Sequence, residues 1–257
     1  MTITAAFMRR IAEAAATETL PRFRRNGAVA NKRVEGFDPV TEADREAEQA
    51  IRRLIRKEFP DHGILGEEHG LENEAARLRW IIDPIDGTRS FISGMPLWGT
   101  LVGLTDGGNA IAGMMSQPFI GEFFFAADGR STYEGPDGAR SLATRGTTDL
   151  AEATLCTTTP ALFPGGKREI YDRLESHVRL ARYGADCYAY AMLAAGNIDL
   201  VVEAGLQSYD IVALIPIIEM AGGVITAWDG GPAEAGGDIV AAATPELHTA
   251  ARKMLQA

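Results

Sequence analysis

Cysteine and histidine are scarce in this chain, with two and four among 257 residues. Cys156 and Cys187 lie far apart, and neither stands at metal-ligand spacing from another Cys or a His. They read as reduced, mostly buried thiols rather than a disulfide framework. His62, His69, His177 and His248 form no HExxH or related pattern, so a zinc site is not expected. No apolar run reaches the length of a membrane span. The opening MTITAAFMRRIAEAAATETL is interrupted by Arg9, Arg10 and Glu13, and has no long apolar middle of the signal-peptide kind. A cytoplasmic protein without membrane contact is the expectation. Positive charge is also lacking. The formal net charge is −10, which argues against nucleic-acid binding through a basic face.

What the chain does have is apolar content, 46% hydrophobic by count, spread along its length with dispersed charges. That composition folds, and the length suits one large core or two halves sharing one. Residues 3–24 show the three-to-four spacing of a half-buried helix, followed by a loop, NGAVANKRVEGFDPV. Thr41 caps a second helix, with Asp44 at its third position and Ala47, Ile51, Leu54 and Ile55 as its apolar stripe. The middle reads as strands at 80–83, 99–105, 110–116 and 121–127, parted by glycines and DG dipeptides. Residues 135–150 are polar and turn-rich and mark the best boundary. The expectation is a single domain over 1–257, with halves near 1–140 and 141–257 and a site between them. In the second half, strands at 153–159, 178–184, 198–204 and 238–244 alternate with helices at 168–176, 186–196, 210–223 and 245–256. Pro216 is placed to bend the third of these helices. This alternation predicts layered α/β packing.

Four acidic segments carry the chemistry. In WIIDPIDGTRSF, an apolar strand delivers Asp83 to its end, where Pro84 is expected to stop the ladder. Asp86 follows three residues later, and Gly87 and Thr88 look like a helix start whose N–H groups suit an anion. GILGEEHG places Glu67 and Glu68 after a short strand; vicinal side chains diverge, so at most one joins a shared site. DPVTEAD, from Asp38 to Asp44, reads as a helix cap in which Asp44 is also able to orient a hydroxyl or water. Asp210 opens an apolar helix, either as a plain cap or as a ligand reaching in from the second half.

Together and in this order, these segments resemble the inositol monophosphatase family over nearly the whole chain. The resemblance implies a five-layer αβαβα sandwich of the inositol monophosphatase and fructose-1,6-bisphosphatase type. It also implies a homodimer and two to three Mg²⁺ per site. Carried onto this sequence, Glu67, Asp83 and the Ile85 carbonyl would hold one ion, and Asp83, Asp86 and Asp210 a second. A third would lean on Glu67. Gly87 and Thr88 would bind phosphate, while Glu67 and an Asp44–Thr88 hydrogen bond would ready the water that attacks phosphorus. Glu68 matches a motif position. Arg89 and Ser90 depart from the usual DGTTNF, and with Asp186 they resemble the histidinol-phosphatase branch. The implied substrate is L-histidinol phosphate, an intermediate of histidine biosynthesis, with Asp86, Arg89, Asp186, Glu203 and Asp210 touching it. Its ammonium and imidazole need an acid away from the metals, and Asp186 and Glu203 are the candidates. Inositol, sugar or nucleotide phosphates are alternative substrates, and a non-catalytic metal-binding regulator is the alternative of another class.

The chemistry explains the residue types. Two carboxylates 4 Å apart repel by about 4 kcal/mol at an effective dielectric near 20. Converging acids therefore need cations to stay ionised, and Mg²⁺ prefers oxygen ligands.

Overall fold

The structure, a computed structural model, describes residues 3–25, 29–31 and 39–256. Most of the loop expected over 26–40, including Asp38, lies outside the described residues. Helix α1 (Ala5–Thr19) is capped by Thr4, whose hydroxyl accepts from the Phe7 amide at 3.2 Å. A short ribbon, β1 (Val29–Asn31) with β2 (Pro39–Thr41), leads into α2 (Glu42–Glu58). Thr41 and Asp44 cap α2 reciprocally, as their spacing predicts.

The first half then builds an eight-stranded sheet. Its members are β3 (Gly63–Gly66), β4 (Gly70–Glu72), β5 (Leu78–Asp86), β6 (Gly99–Asp106), β7 (Asn109–Gln117), β8 (Glu122–Ala127), β9 (Arg130–Gly135) and β10 (Gly138–Ser141). Their order is β10-β9-β8-β7-β6-β5-β3-β4, with only β3 and β5 running parallel. The five-residue helix α3 (Thr88–Ile92) follows β5 directly. The second half forms a sheet of order β12-β11-β13-β15-β14 from β11 (Thr154–Thr157), β12 (Leu180–Tyr183), β13 (Leu200–Leu206), β14 (Val224–Ala227) and β15 (Gly237–Ala242). Its helices are α4 (Lys167–Glu175), α5 (Asp186–Ala194), α6 (Ser208–Ile211), α7 (Leu214–Glu219) and α8 (Pro245–Leu255).

Strand alternation sorts the core into layers. Ile82, Val102 and Met114 face Ile51 and Ile55 of α2 and Ile11 of α1. Their neighbours Leu101 and Met115 point the other way, onto Tyr190, Ile215 and Ile218. Val201 and Ile239 close that middle layer from the second sheet. Val202 and Val240 face outward to Tyr171, Leu174 and Leu247 of α4 and α8. The result is the expected αβαβα sandwich. Both faces of its central strands are covered, which is why they read as continuous apolar runs.

Two local expectations are corrected. Pro84 does not end β5, which runs on to Asp86 through a bulge: Asp83 pairs with Leu101, but Asp86 pairs with Gly99, three residues against two. The helix expected over 210–223 is two helices, broken at Val212 and Ala213. Pro216 has no N–H to give the Val212 carbonyl, so the ladder fails there. Strands β1, β2, β4, β9, β10 and β14 are not among the expected elements; β1 and most of β2 fall in the segment expected as a loop, and β10 inside the polar segment 135–150.

The helix break lies hard against the first sheet. A Cβ on Gly113 would stand 1.9 Å from the Ala213 carbonyl oxygen, and one on Gly103 would stand 2.9 Å from the Ala213 nitrogen. Two bare positions on β6 and β7 therefore let the α6–α7 break approach β5. Gly113→Ala should cost about 1–3 kcal/mol or more through overpacking, read by denaturant unfolding. A variant as stable as the parent would mean this approach is not tight.

Candidate active site

The bulge in β5 creates the site. Asp83 and Asp86 stand three residues apart, so an unbroken pleat would send them to opposite faces. The extra residue turns both to one side. The bulge is held by the Ile85 amide, which donates to Asp83 Oδ1 at 3.0 Å, and by the Thr100 hydroxyl, which donates to the Pro84 carbonyl at 2.8 Å. Asp210 arrives from the second half on α6, where its carboxylate also accepts the Gln207 amide at 2.7 Å. It is the third residue of that helix, not the first as expected.

One carboxylate oxygen from each of Asp83, Asp86 and Asp210 lies within 4.8 Å of the others. Burial pushes the Asp83 carboxyl well above the usual carboxylate range, and the charges of Glu67, Asp86 and Asp210 push it further. Asp86 is raised well above its ordinary value too. Burial comes first, then Asp186 and Asp210; the Cys187 amide, donating to Asp86 Oδ2 at 2.7 Å, works against them. The charges acting upward on Asp83 are all carboxylates, and the donor atoms are all hard oxygens. That set fits a divalent cation such as Mg²⁺. Glu67 follows β3 directly, its amide bonded to the Ile82 carbonyl at 3.1 Å beside Asp83.

Gly87 stands at φ +84° between β5 and α3, where a Cβ would meet Asp186 Oδ2 at 3.0 Å. Glycine is required by both conformation and space. Thr88 departs from expectation. Its hydroxyl donates to the Ile85 carbonyl at 3.1 Å, while Asp44 Oδ2 accepts from the Thr41 amide and hydroxyl at 2.8 and 2.6 Å. A hydroxyl has one proton, so the expected donation from Thr88 to Asp44 is not made.

A cleft of about 400 Å³ opens before these groups. Asp86, Gly87, Thr88 and Arg89 form one wall; Thr158, Lys167, Asp186, Glu203 and Asp210 line the rest. Asp186 accepts from the Ser90 hydroxyl at 2.9 Å and sits at φ +44°, a region L-residues seldom enter. Burial raises its pKa, against the lowering effect of Ser90, Thr158 and Arg89. Glu203 is only 3% exposed. One of its oxygens accepts the Thr158 amide and hydroxyl at 2.5 and 3.0 Å, the other the Thr157 hydroxyl at 3.1 Å. Glu203 thus lines the cleft while its two oxygens also tie β13 to the end of β11. Thr158, Lys167 and the Cys187 amide were not singled out from sequence. Only Cys187 had a signal, its place directly after Asp186.

A layered α/β sandwich that gathers acids from both halves in a cleft beside the start of a short helix is the build of a hydrolase acting on phosphorylated small metabolites. This chain belongs to the inositol monophosphatase family, whose model matches residues 2–257, and it is a phosphatase of that family. It is 44% identical over 211 residues to the bifunctional phosphatase IMPL2 of Arabidopsis thaliana, covering 81% of this chain and 59% of that longer protein. A histidinol-phosphatase of Chlorobaculum parvum is 37% identical, covering 83% of this chain and 81% of the relative. Among solved structures, an inositol monophosphatase from Zymomonas mobilis superposes with a TM-score of 0.87 at 36% identity, covering 98% and 97% of the two chains. No helix among the described residues is long and apolar enough to cross a membrane.

Glu203 generates a pH prediction. Burial pushes its carboxyl from 4.5 up to about 7. A raised acid favours the folded state below its unfolded pKa, and that contribution is lost as pH rises through the folded value. Glu203→Gln, fixed in the neutral form, should therefore gain stability relative to the parent between about pH 4.5 and 7, by up to about 3 kcal/mol. Parallel melting curves across that range would refute the shift.

Proposed function

We propose that this chain is a Mg²⁺-dependent phosphomonoesterase that hydrolyses L-histidinol phosphate by direct attack of water on phosphorus. The observation that carries the reading is the convergence of Asp83, Asp86 and Asp210 at 4.8 Å or less. On this reading Asp83, Asp86, Asp210, Glu67 and the Ile85 carbonyl would hold two to three Mg²⁺. Bound there, the ions would neutralise the crowded acids, lower the pKa of a neighbouring water and stabilise the leaving alkoxide. Gly87 and Thr88 turn backbone N–H groups to the phosphate oxygens, where charge grows in the transition state. Glu67, half-buried beside Asp83, orients the attacking water and takes its proton. Asp44 acts through the helix start it caps. No side chain needs to form a covalent bond to phosphorus.

The rest of the cleft supports this substrate. Histidinol carries an ammonium, and a cation leaving water needs a fixed acid. Asp186 lines the cleft and is held by Ser90, beside Gly87. Glu203 lines the same cleft and, held by Thr157 and Thr158, is the second acid placed for the ammonium or the imidazole. Relatives named histidinol-phosphatase, at 32–37% identity, support the same choice. An inositol phosphate is the second reading, favoured by the likeness to the Zymomonas mobilis inositol monophosphatase.

Phosphate release from histidinol phosphate, inositol phosphate and a neutral sugar phosphate separates these readings. EDTA should abolish turnover and Mg²⁺ restore it. Asp83→Asn should lose metal binding and turnover together, and near-normal Mg²⁺-dependent activity in that variant would defeat the assignment. Asp186→Ala should raise KM for histidinol phosphate about tenfold, equivalent to 1.4 kcal/mol, with a far smaller change for the neutral ester. Equal losses on both would remove the substrate argument.

A further inference from the structure

Outside the cleft, one buried charged pair stands apart from the hydrophobic layers. Glu48 and Arg52, 0% and 3% exposed, lie one turn apart on α2, among the apolar residues that cover the first sheet. Burying two charges costs several kcal/mol per ion before their attraction repays it. Apolar residues of similar size would hold α2 to the sheet at least as well, so a role beyond packing has to be sought in what the pair touches.

It touches the backbone next to Glu67. Strands β3 and β4 pair Gly66 with Gly70, leaving Glu67, Glu68 and His69 as a three-residue turn. Glu48 Oε2 accepts the Glu68 amide at 2.7 Å, and Oε1 accepts the His69 amide at 3.2 Å. Arg52 Nε donates to the same Oε1 at 2.7 Å, and its Nη2 donates to the Gly70 carbonyl. The carboxylate thus holds the middle of the turn, and the guanidinium holds its end. The fit depends on Gly66, where a Cβ would stand 2.1 Å from Glu48 Oε1. Arg52 is in turn braced by Glu72 at 3.2 Å.

We infer that Glu48, backed by Arg52, is a positioning residue that fixes the 67–70 turn so that the Glu67 carboxylate is presented to Asp83 in a cation-competent arrangement. Glu48 reaches no ion and no substrate itself. It acts by removing freedom from a short surface turn that carries one member of the acidic set, adding two backbone amides to the ties that the Glu67 amide makes to the Ile82 carbonyl and the His69 ring makes to the Arg45 carbonyl. This rests on Glu67 being a cation ligand, as proposed above.

Mn²⁺ binding to the chelator-treated full-length protein, followed by the loss of the free-ion EPR signal, tests it. Glu48→Gln keeps the side-chain shape but removes the charge and one acceptor. Its Mn²⁺ Kd should rise about tenfold or more, the size of effect seen when groups supporting a metal ligand are removed. Turnover should recover toward the parent value at saturating Mg²⁺. An unchanged Kd per folded molecule, even with a lowered melting temperature, would reduce Glu48 to a packing residue and overturn the inference. Should Glu48→Gln fail to fold, Gly66→Ala decides. It keeps every charge and displaces the carboxylate, so weakened Mn²⁺ binding supports the inference and parental binding overturns it. Parent protein that binds no Mn²⁺ would instead overturn the metal reading itself.

Discussion

The repulsion among carboxylates at the end of β5 is the constraint on which this structure turns. Asp83, buried at 2% exposure, cannot carry its charge comfortably beside Glu67, Asp86 and Asp210. A fold with no use for that cluster would gain by replacing any of these acids. Here the surrounding structure is arranged to hold them together. The β5 bulge turns Asp83 and Asp86 to one side, the bare glycines of β6 and β7 admit the α6–α7 break, and Asp210 comes with it. On the proposed reading cations would resolve the conflict, and the positive charge that made the acids tolerable would also favour an anionic phosphate and a deprotonated water.

On the proposed reading the architecture separates a reacting end of the cleft from a recognising end. β5 and its turn into α3 supply two acids and Gly87 and Thr88. α5, the loop after β11 and the start of α4 supply Asp186, Thr158 and Lys167. Glu203 links β13 to β11 through three hydrogen bonds. Its burial makes that link costly as a charge, and useful as a neutral or shared-proton tie that keeps the recognising wall rigid. On that reading, variation of Arg89, Asp186 and their neighbours would change the alcohol that is accepted while leaving the reacting end intact. This fits a family whose members carry several phosphatase names.

Much of this was readable in the sequence because it is written in local signals. Thr41 and Asp44 announce a capping box, the apolar runs announce covered strands, and DPIDGT announces a strand end running into a helix start. The layered sandwich follows from the alternation of elements together with the family resemblance. What was not readable depends on pairing between distant segments. Whether Pro84 ends a strand or sits in a bulge is decided by Leu101 and Gly99 across the ladder. Whether residues 210–223 form one helix is decided by Pro216 together with the room left by Gly103 and Gly113. Glu203 sits on a strand heading for the site and does line the cleft, but its hydrogen bonds to Thr157 and Thr158 belong to a pairing with another part of the chain that the sequence does not display. Glu48 was hidden by its own spacing: a Glu four residues before an Arg reads as a solvated helix pair, and only burial shows that it faces the 67–70 turn.

The central claim is that these acids form one cation site, and anomalous scattering from a crystal soaked in Mn²⁺ tests it most directly. The account predicts a strong peak bounded by Asp83, Asp86 and Asp210, with Glu67 at its edge. A map without a peak there, or with those four side chains turned apart, would contradict it.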